Sequence, residues 1–194
     1  MSTYDKHKIG KLISWRGDHE VYEYGADKVI KFSKFDFFLG FKRAKEVVPQ
    51  EYALCKQIFG EYLLDTEIAV SADQKRIALI QPKISGHCLT AGDLQREGIK
   101  RQFREIAERY NAMITGGYPE IDLVGHEGLF SVFKRCLGNI MVTNKGKLII
   151  FDATLLNPNR FAPFMRPFLY VLVKIFRPFQ RSTIEGFLAV ARQN

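Results

Sequence analysis

The sequence predicts a two-lobed α+β chain. The first lobe is small, with five antiparallel strands and one helix. The second is a reduced helical lobe with one short β-hairpin. Three observations predict this. Residues 8–34 and 64–84 are rich in Val, Ile, Tyr and Phe and are punctuated by Gly, Asp and Ser, which reads as short strands. Residues 97–114 switch to apolar positions at i, i+3 and i+4. The segment from 159 to 194 is helical in pattern and basic. The whole of 1–194 reads as a single domain, with a first lobe over about 1–84, a hinge at about 85–90 and a second lobe over about 91–194.

Each element has a local reason. KLISW, VYEYG and KVIKFS form a meander, with Gly17-Asp18 and Gly25-Ala26-Asp27 as turns. Residues 35–43 are an aromatic-rich connection. Residues 45–58 read as a helix; Pro49 suits its first turn, so the helix is expected to start near Val48. Residues 64–70 and 76–84 are two more strands, and Ser85 to Thr90 is a break. The helix that follows carries Ile99, Phe103, Ile106, Tyr110 and Met113 on one face and stops at Gly116-Gly117. Strands over 140–143 and 147–151, joined by Asn144-Lys145-Gly146, make the hairpin.

Composition narrows the function classes. A hydrophobic fraction of 46% and a charged fraction of 26% exclude disordered and collagen-like architectures. A chain of 194 residues buries enough surface to hold a core without disulfide or metal. The net charge of +8 favours anionic partners. Cys55, Cys88 and Cys136 are widely spaced and read as free thiols of a reducing compartment. His7, His19, His87 and His126 show no metal-ligand spacing. The first residues lack the apolar stretch of a signal peptide, and the longest apolar run, Phe168 to Val173, is too short to span a bilayer. The expected location is therefore cytoplasmic, with a peripheral position at the inner membrane face as a variant.

Four residues stand out. Lys31 ends the strand segment Val29-Ile30-Lys31, and Glu51 lies on the following helix. Asn139 stands in Leu137-Gly138-Asn139-Ile140-Met141, and Asp152 follows the apolar strand Leu148 to Phe151. This layout resembles the protein-kinase-like fold in its reduced form, the small atypical kinases and aminoglycoside-phosphotransferase-like proteins. The resemblance covers nearly the whole chain. It implies that Lys31 holds the phosphates of ATP, that Glu51 orients Lys31, and that Asn139 and Asp152 hold Mg²⁺. An amide oxygen and a carboxylate are hard ligands suited to Mg²⁺, with phosphate and water completing the shell. The segment IQPKISGHCLT resembles the hinge between the lobes.

The sequence also departs from that pattern. The catalytic-loop Asp expected five residues before Asn139 is Lys134, the triplet at Asp152 is Asp-Ala-Thr, and Gly17 is nearly all that remains of a glycine-rich loop. A missing base is also a trait of the small bacterial family typified by YrbL, which this chain resembles in length. Lys134 and Arg135 would neutralise a γ-phosphate. Three functions follow: an atypical kinase that binds ATP and Mg²⁺ between its lobes and phosphorylates a hydroxyl; a pseudokinase that senses nucleotide or acts as a scaffold; or a basic peripheral membrane or interaction protein without nucleotide.

Plainer readings stand beside these. Lys31 also fits an exposed edge-strand lysine and Glu51 a solvated helix acid, with Glu46 a rival for the pairing. Asn139 fits a turn former and Asp152 a cap or turn residue. Asp122, His126 and Glu127 offer a displaced base or a solvated loop. Cys136, beside Arg135, is an activated thiol or a packed one. Segment 166–181, apolar and flanked by Arg, suits an anionic membrane surface or a core helix with snorkelling ends. Its basic residues are not interleaved in any recognisable nucleic-acid module.

Overall fold

A computed structural model of the chain describes residues 1–15, 19–33, 41–73, 75–125 and 136–193. They form a mixed α+β structure with a six-stranded sheet, a three-stranded sheet and, among the described residues, three α-helices. The chain divides into two units. The first comprises Met1–Gln50, Leu64–Ile84 and Asn159–Phe164; the second comprises Glu51–Leu63, Ser85–Pro158 and Met165–Asn194.

The first unit holds strands β1 (Ser2–Thr3), β2 (Ile9–Ser14), β3 (His19–Tyr24), β4 (Lys28–Ser33), β5 (Glu67–Val70) and β6 (Ile77–Pro82), in the order β1-β5-β6-β4-β3-β2. The predicted meander is present: β2, β3 and β4 pair antiparallel, and Gly25 takes the left-handed conformation (φ 65°) that its turn requires. β4 is interior, with Lys31 opposite Val21 on β3 and Leu79 on β6. Ile30 and Phe32 of β4 bury with Tyr4, Ala69, Ala78 and Ile80. The Tyr4 and Phe32 rings meet edge to face at 5.5 Å.

Two expectations about this unit need correction. The sheet has a sixth strand, β1, and it runs parallel to β5. Ser2 and Thr3 carry no strand signal of their own. They are held because the next residue, Tyr4, buries its ring and donates its backbone N–H to Val70 O at 3.1 Å. Helix α1 spans Phe41–Phe59 and starts well before Val48, with Pro49 inside it. Phe41, Ala44 and Val48 lie three and four residues apart and pack with Val70 and Ile77. Burial of that stripe outweighs the hydrogen bond Pro49 cannot donate.

The second unit contains the end of α1 from Glu51 onward, β7 (Gly86–Thr90), α2 (Glu97–Thr115), β8 (Cys136–Thr143), β9 (Leu148–Ile150) and α3 (Arg166–Arg192). Its core gathers Phe59, Leu89, Phe103, Ile106, Tyr110, Leu137, Ile140 and Phe187 among others. The predicted apolar face of α2 is buried throughout, and the helix ends at Gly116 and Gly117, the latter left-handed at φ 76°.

The segment read as a break at 85–90 is largely strand β7, paired antiparallel to β8. Its leading Gly is a poor strand former and the segment has no apolar alternation of its own, so the pairing is dictated from outside it. Leu89 is fully buried in the core. A Cβ on Gly86 would stand 2.1 Å from Val142 O, so only glycine permits this approach of the two strands. β7 leads into a short 3-10 turn, Ala91–Gln95, closed by a capping box between Thr90 and Asp93.

Candidate functional site

The site is built from β8 outward. Against β7, Leu89 pairs with Leu137 while the preceding Cys88 pairs with Met141, so residues 138–140 of β8 bulge out of that ladder. The freed backbone finds other partners: Gly138 N donates to Val124 O at 2.8 Å and Asn139 N to Leu123 O at 3.3 Å. A bulge re-aims a side chain, and here the side chain is Asn139. Its Nδ2 donates to Asp122 O at 2.8 Å.

Segment 121–125 thus becomes the floor under Asn139. Asp122 Oδ1 accepts from Gly125 N at 2.8 Å, closing a tight loop. Gly125 has φ 66°, and a Cβ there would lie 2.6 Å from Asn139 Oδ1. Glycine is required twice over at that position, by conformation and by space.

On its other edge β8 runs unbroken against β9, and Phe151 N donates to Asn139 O at 3.2 Å. Asp152 is therefore one residue past the cross-strand neighbour of Asn139. Asp152 Oδ1 accepts from Thr154 N at 3.1 Å and Thr154 Oγ1 at 2.7 Å. Asp152 thus closes an Asx turn onto Thr154, one residue beyond the strand pairing.

Helix α1 adds a third carboxylate. Glu51, Cys55 and Phe59 fall one turn apart on its buried face. Cys55 Sγ contacts Ala153 O at 3.8 Å, next to Asp152. Burial first, and then the charges of Glu51 and Asp152, push the Cys55 thiol up to about 12. Two carboxylates distant in sequence thus act on one buried thiol. Glu51 is 9% exposed, not a solvated helix acid, whereas Glu46 is exposed. Lys31 lies in the first unit on an interior strand and is 9% exposed, so the edge-strand reading fails. Lys134, Arg135, His126, Glu127 and Gly17 lie outside the described residues. Cys136 is buried, as a packed thiol would be.

Behind this loop lies a buried polar hub. Gln180 of α3 is fully buried; its Oε1 accepts from Leu123 N at 2.9 Å and Val124 N at 3.4 Å. Its Nε2 donates to Tyr110 Oη and Ile121 O, both at 3.0 Å. Glu120, 2% exposed, accepts from Tyr110 Oη at 2.5 Å and Arg181 at 2.6 Å, with Arg177 at 3.4 Å. Nothing in the sequence marks these two residues, because a lone Gln in a helix and a Glu after a Pro are common. Their meaning comes from the burial that the fold imposes.

Among the described residues, no three His, Cys, Asp or Glu side chains converge as a metal site by themselves. Asn139 and Asp152 are instead oxygen donors of the type that shares a cation with phosphate. No described helix is long and apolar enough to cross a membrane.

The sequence matches no protein-family model, and no curated protein is similar to it. Among solved structures it is similar to "PpkA-294 apo form", with a TM-score of 0.47 and 14% identity over 79% of this chain and 60% of that one. The chain thus spans less than two thirds of that structure's length, and a likeness of this degree assigns no activity.

Proposed function

We propose that the chain is a kinase-like protein that binds a magnesium–nucleotide complex. The observation that carries this reading is the bulge at 138–140, which turns Asn139 onto the Asp122 loop, next in register to Asp152. Asn139 and Asp152 would hold Mg²⁺; the resemblance, not a contact in the structure, gives Lys31 the phosphates and Glu51 the orienting role. The cation would neutralise charge on the phosphate chain. The protein's own part is to fix the donors. Gly125 leaves room for the Asn139 amide, and the Asx turn fixes the Asp152 carboxylate.

Asp122 bears on whether phosphate is transferred. Its backbone oxygen holds the Asn139 amide, so the residue sits beside the proposed cation ligand. Asp122, one of the displaced bases the sequence offers, would then serve an acceptor hydroxyl. In that step the γ-phosphoryl passes to the hydroxyl oxygen, the hydroxyl proton passes to the carboxylate, and the nucleoside diphosphate leaves. General base catalysis contributes about 10²–10⁴-fold. Without it the same residues make a nucleotide-sensing pseudokinase.

The test is a thermal shift with ATP, with and without Mg²⁺, on wild type, Lys31→Met and Asp152→Ala. Ligand at 100 times its Kd adds about 2.7 kcal/mol, a visible shift. The expected result is a Mg²⁺-dependent shift, lost in both variants. No shift at millimolar ATP overturns the reading. Release of γ-phosphate by wild type and not by Asp122→Asn would then divide kinase from pseudokinase.

A further inference from the structure

Helix α3 changes character at its midpoint. From Gln180 onward it is a core helix, burying Gln180, Ile184, Phe187 and Ala191. Before Gln180 none of its residues is buried. One flank of that exposed half nevertheless carries an ordered set of charges. Tyr170, Lys174, Arg177 and Arg181 stand four, three and four residues apart, so they share a face. Together with Pro158 and Pro178 they line a groove of about 550 Å³, all of it within the second unit.

In that groove the cations outnumber the acids. Arg181 lays Nε and Nη2 on the Glu120 carboxylate, at 3.3 and 2.6 Å. Arg177 brings Nε to 3.4 Å from the same carboxylate and donates from Nη2 to Leu156 O at 3.1 Å. The Arg177 Nε is buried and makes no hydrogen bond, so Arg177 is the less satisfied of the two. Glu120 is buried and carries one charge; it fixes both guanidinium groups but neutralises only one. Nη1 of each arginine makes no hydrogen bond among the described residues, and Lys174 pairs with no carboxylate there. Glu185, the only acid on α3, lies one turn beyond Arg181 and lines a different groove, against α2. Two positive charges are therefore surplus in a groove whose other walls are two prolines and the half-exposed Tyr170.

We propose that this groove binds a small organic phosphomonoester. With a second pKa of about 6, a phosphomonoester is close to a dianion at neutral pH, which matches the two surplus charges. Guanidinium groups already held by a buried carboxylate lose little freedom when they meet phosphate oxygens, and the planar fork suits phosphate geometry. Tyr170, Pro158 and Pro178 offer apolar surface to the body of the ligand. Inorganic phosphate would leave that surface unused, and a monocarboxylate would leave one positive charge unmatched. The inference uses none of the nucleotide residues and stands apart from that reading.

The test is an amide chemical-shift titration of the full chain with phenyl phosphate, inorganic phosphate and benzoate, without Mg²⁺. Wild type, Lys174→Gln and Lys31→Met are compared. Lys174 is exposed, and circular dichroism with a urea midpoint checks the fold of both variants. Phenyl phosphate is expected to shift amides over 170–181 and to bind about tenfold more tightly than inorganic phosphate or benzoate. Lys174→Gln should weaken it about five- to tenfold, and Lys31→Met should leave it unchanged. No shift over 170–181 at millimolar phenyl phosphate overturns the proposal, as does binding that Lys174→Gln does not weaken. Loss of binding in Lys31→Met also overturns it, since the phosphate would then sit at the nucleotide residues. Benzoate binding as tightly as phenyl phosphate removes the assignment to a phosphomonoester.

Discussion

Replacing Gln180 by Met keeps the length and removes every hydrogen bond of the side chain. In the native structure Gln180 serves Leu123 N, Val124 N, Ile121 O and Tyr110 Oη. Tyr110 Oη keeps a partner in Glu120 at 2.5 Å, so it is not orphaned. Leu123 and Val124 are fully buried, as is Ile121, and water does not replace the lost amide. Each orphaned buried group costs about 1–3 kcal/mol. The Val124 contact, at 3.4 Å, is the weak one. Two full losses and one partial loss give about 3–5 kcal/mol. A domain of this size has about 5–15 kcal/mol in total, so the variant should fold but melt early. Urea denaturation measures this directly, and the slope should stay near that of wild type. The same loop carries Asp122 beneath Asn139, so the Mg²⁺-dependent nucleotide shift should also shrink. A stability loss below about 1 kcal/mol would refute the argument, since it would mean that the three backbone groups find other partners at little cost.

Four further outcomes follow from particular residues. Gly125→Ala should destabilise by about 1–2 kcal/mol for the left-handed backbone alone. It should also displace Asn139, whose Oδ1 would face a Cβ at 2.6 Å, so a urea midpoint and the nucleotide shift should fall together. At Asp93, burial opposes ionisation, but hydrogen bonds from Thr90 N, His87 and Thr90 Oγ1 outweigh it and hold the carboxyl below its ordinary 3.8. A depressed carboxyl contributes stability that is present above the ordinary value and lost as pH falls through the native one. Asp93→Asn should therefore flatten the acid limb of a stability–pH curve. At Cys55 the sign is the reverse: the thiol is raised from 9.0 to about 12, so the unfolded chain ionises first and stability falls as pH rises between those values. In timed alkylation of native protein near neutral pH, partly exposed Cys88 should react first and buried Cys55 and Cys136 slowly.

The strands and helices that were legible in the sequence are those whose cause is local. β4 is legible at its observed bounds because Val-Ile-Lys-Phe is flanked by a turn with Gly25, and α2 because its apolar period survives intact from Ile99 to Met113. The errors share one cause. β1 and β7 are strands only because a distant partner offers a ladder: Val70 beside Tyr4, and Val142 beside Gly86. The early start of α1 is similar, because Phe41 and Ala44 gain their value from Val70 and Ile77 on the sheet. Local propensity cannot report a partner that arrives later in the chain.

The candidate site divides along the same line. Asn139 and Asp152 could be singled out because a hairpin fixes their relation: strand, turn and strand set the register, and the register sets Asp152 one place beyond Asn139's neighbour. What aims Asn139 is not in that hairpin. It is the bulge against β7, the missing Cβ of Gly125, and the Gln180 amide that pins Leu123 and Val124 from α3. A glutamine buried by its fold looks, in sequence, like any glutamine on a helix. The same holds for the exposed half of α3. A run such as Phe168 to Val173 reads equally as core or as surface, and only the direction of Gln180, Ile184 and Phe187 shows that its stripe points outward. Residue types and spacing therefore nominate the chemistry. The supports that orient it come from contacts between elements far apart in the chain, and mutations at Gln180 and Gly125 test those supports without touching the proposed ligands.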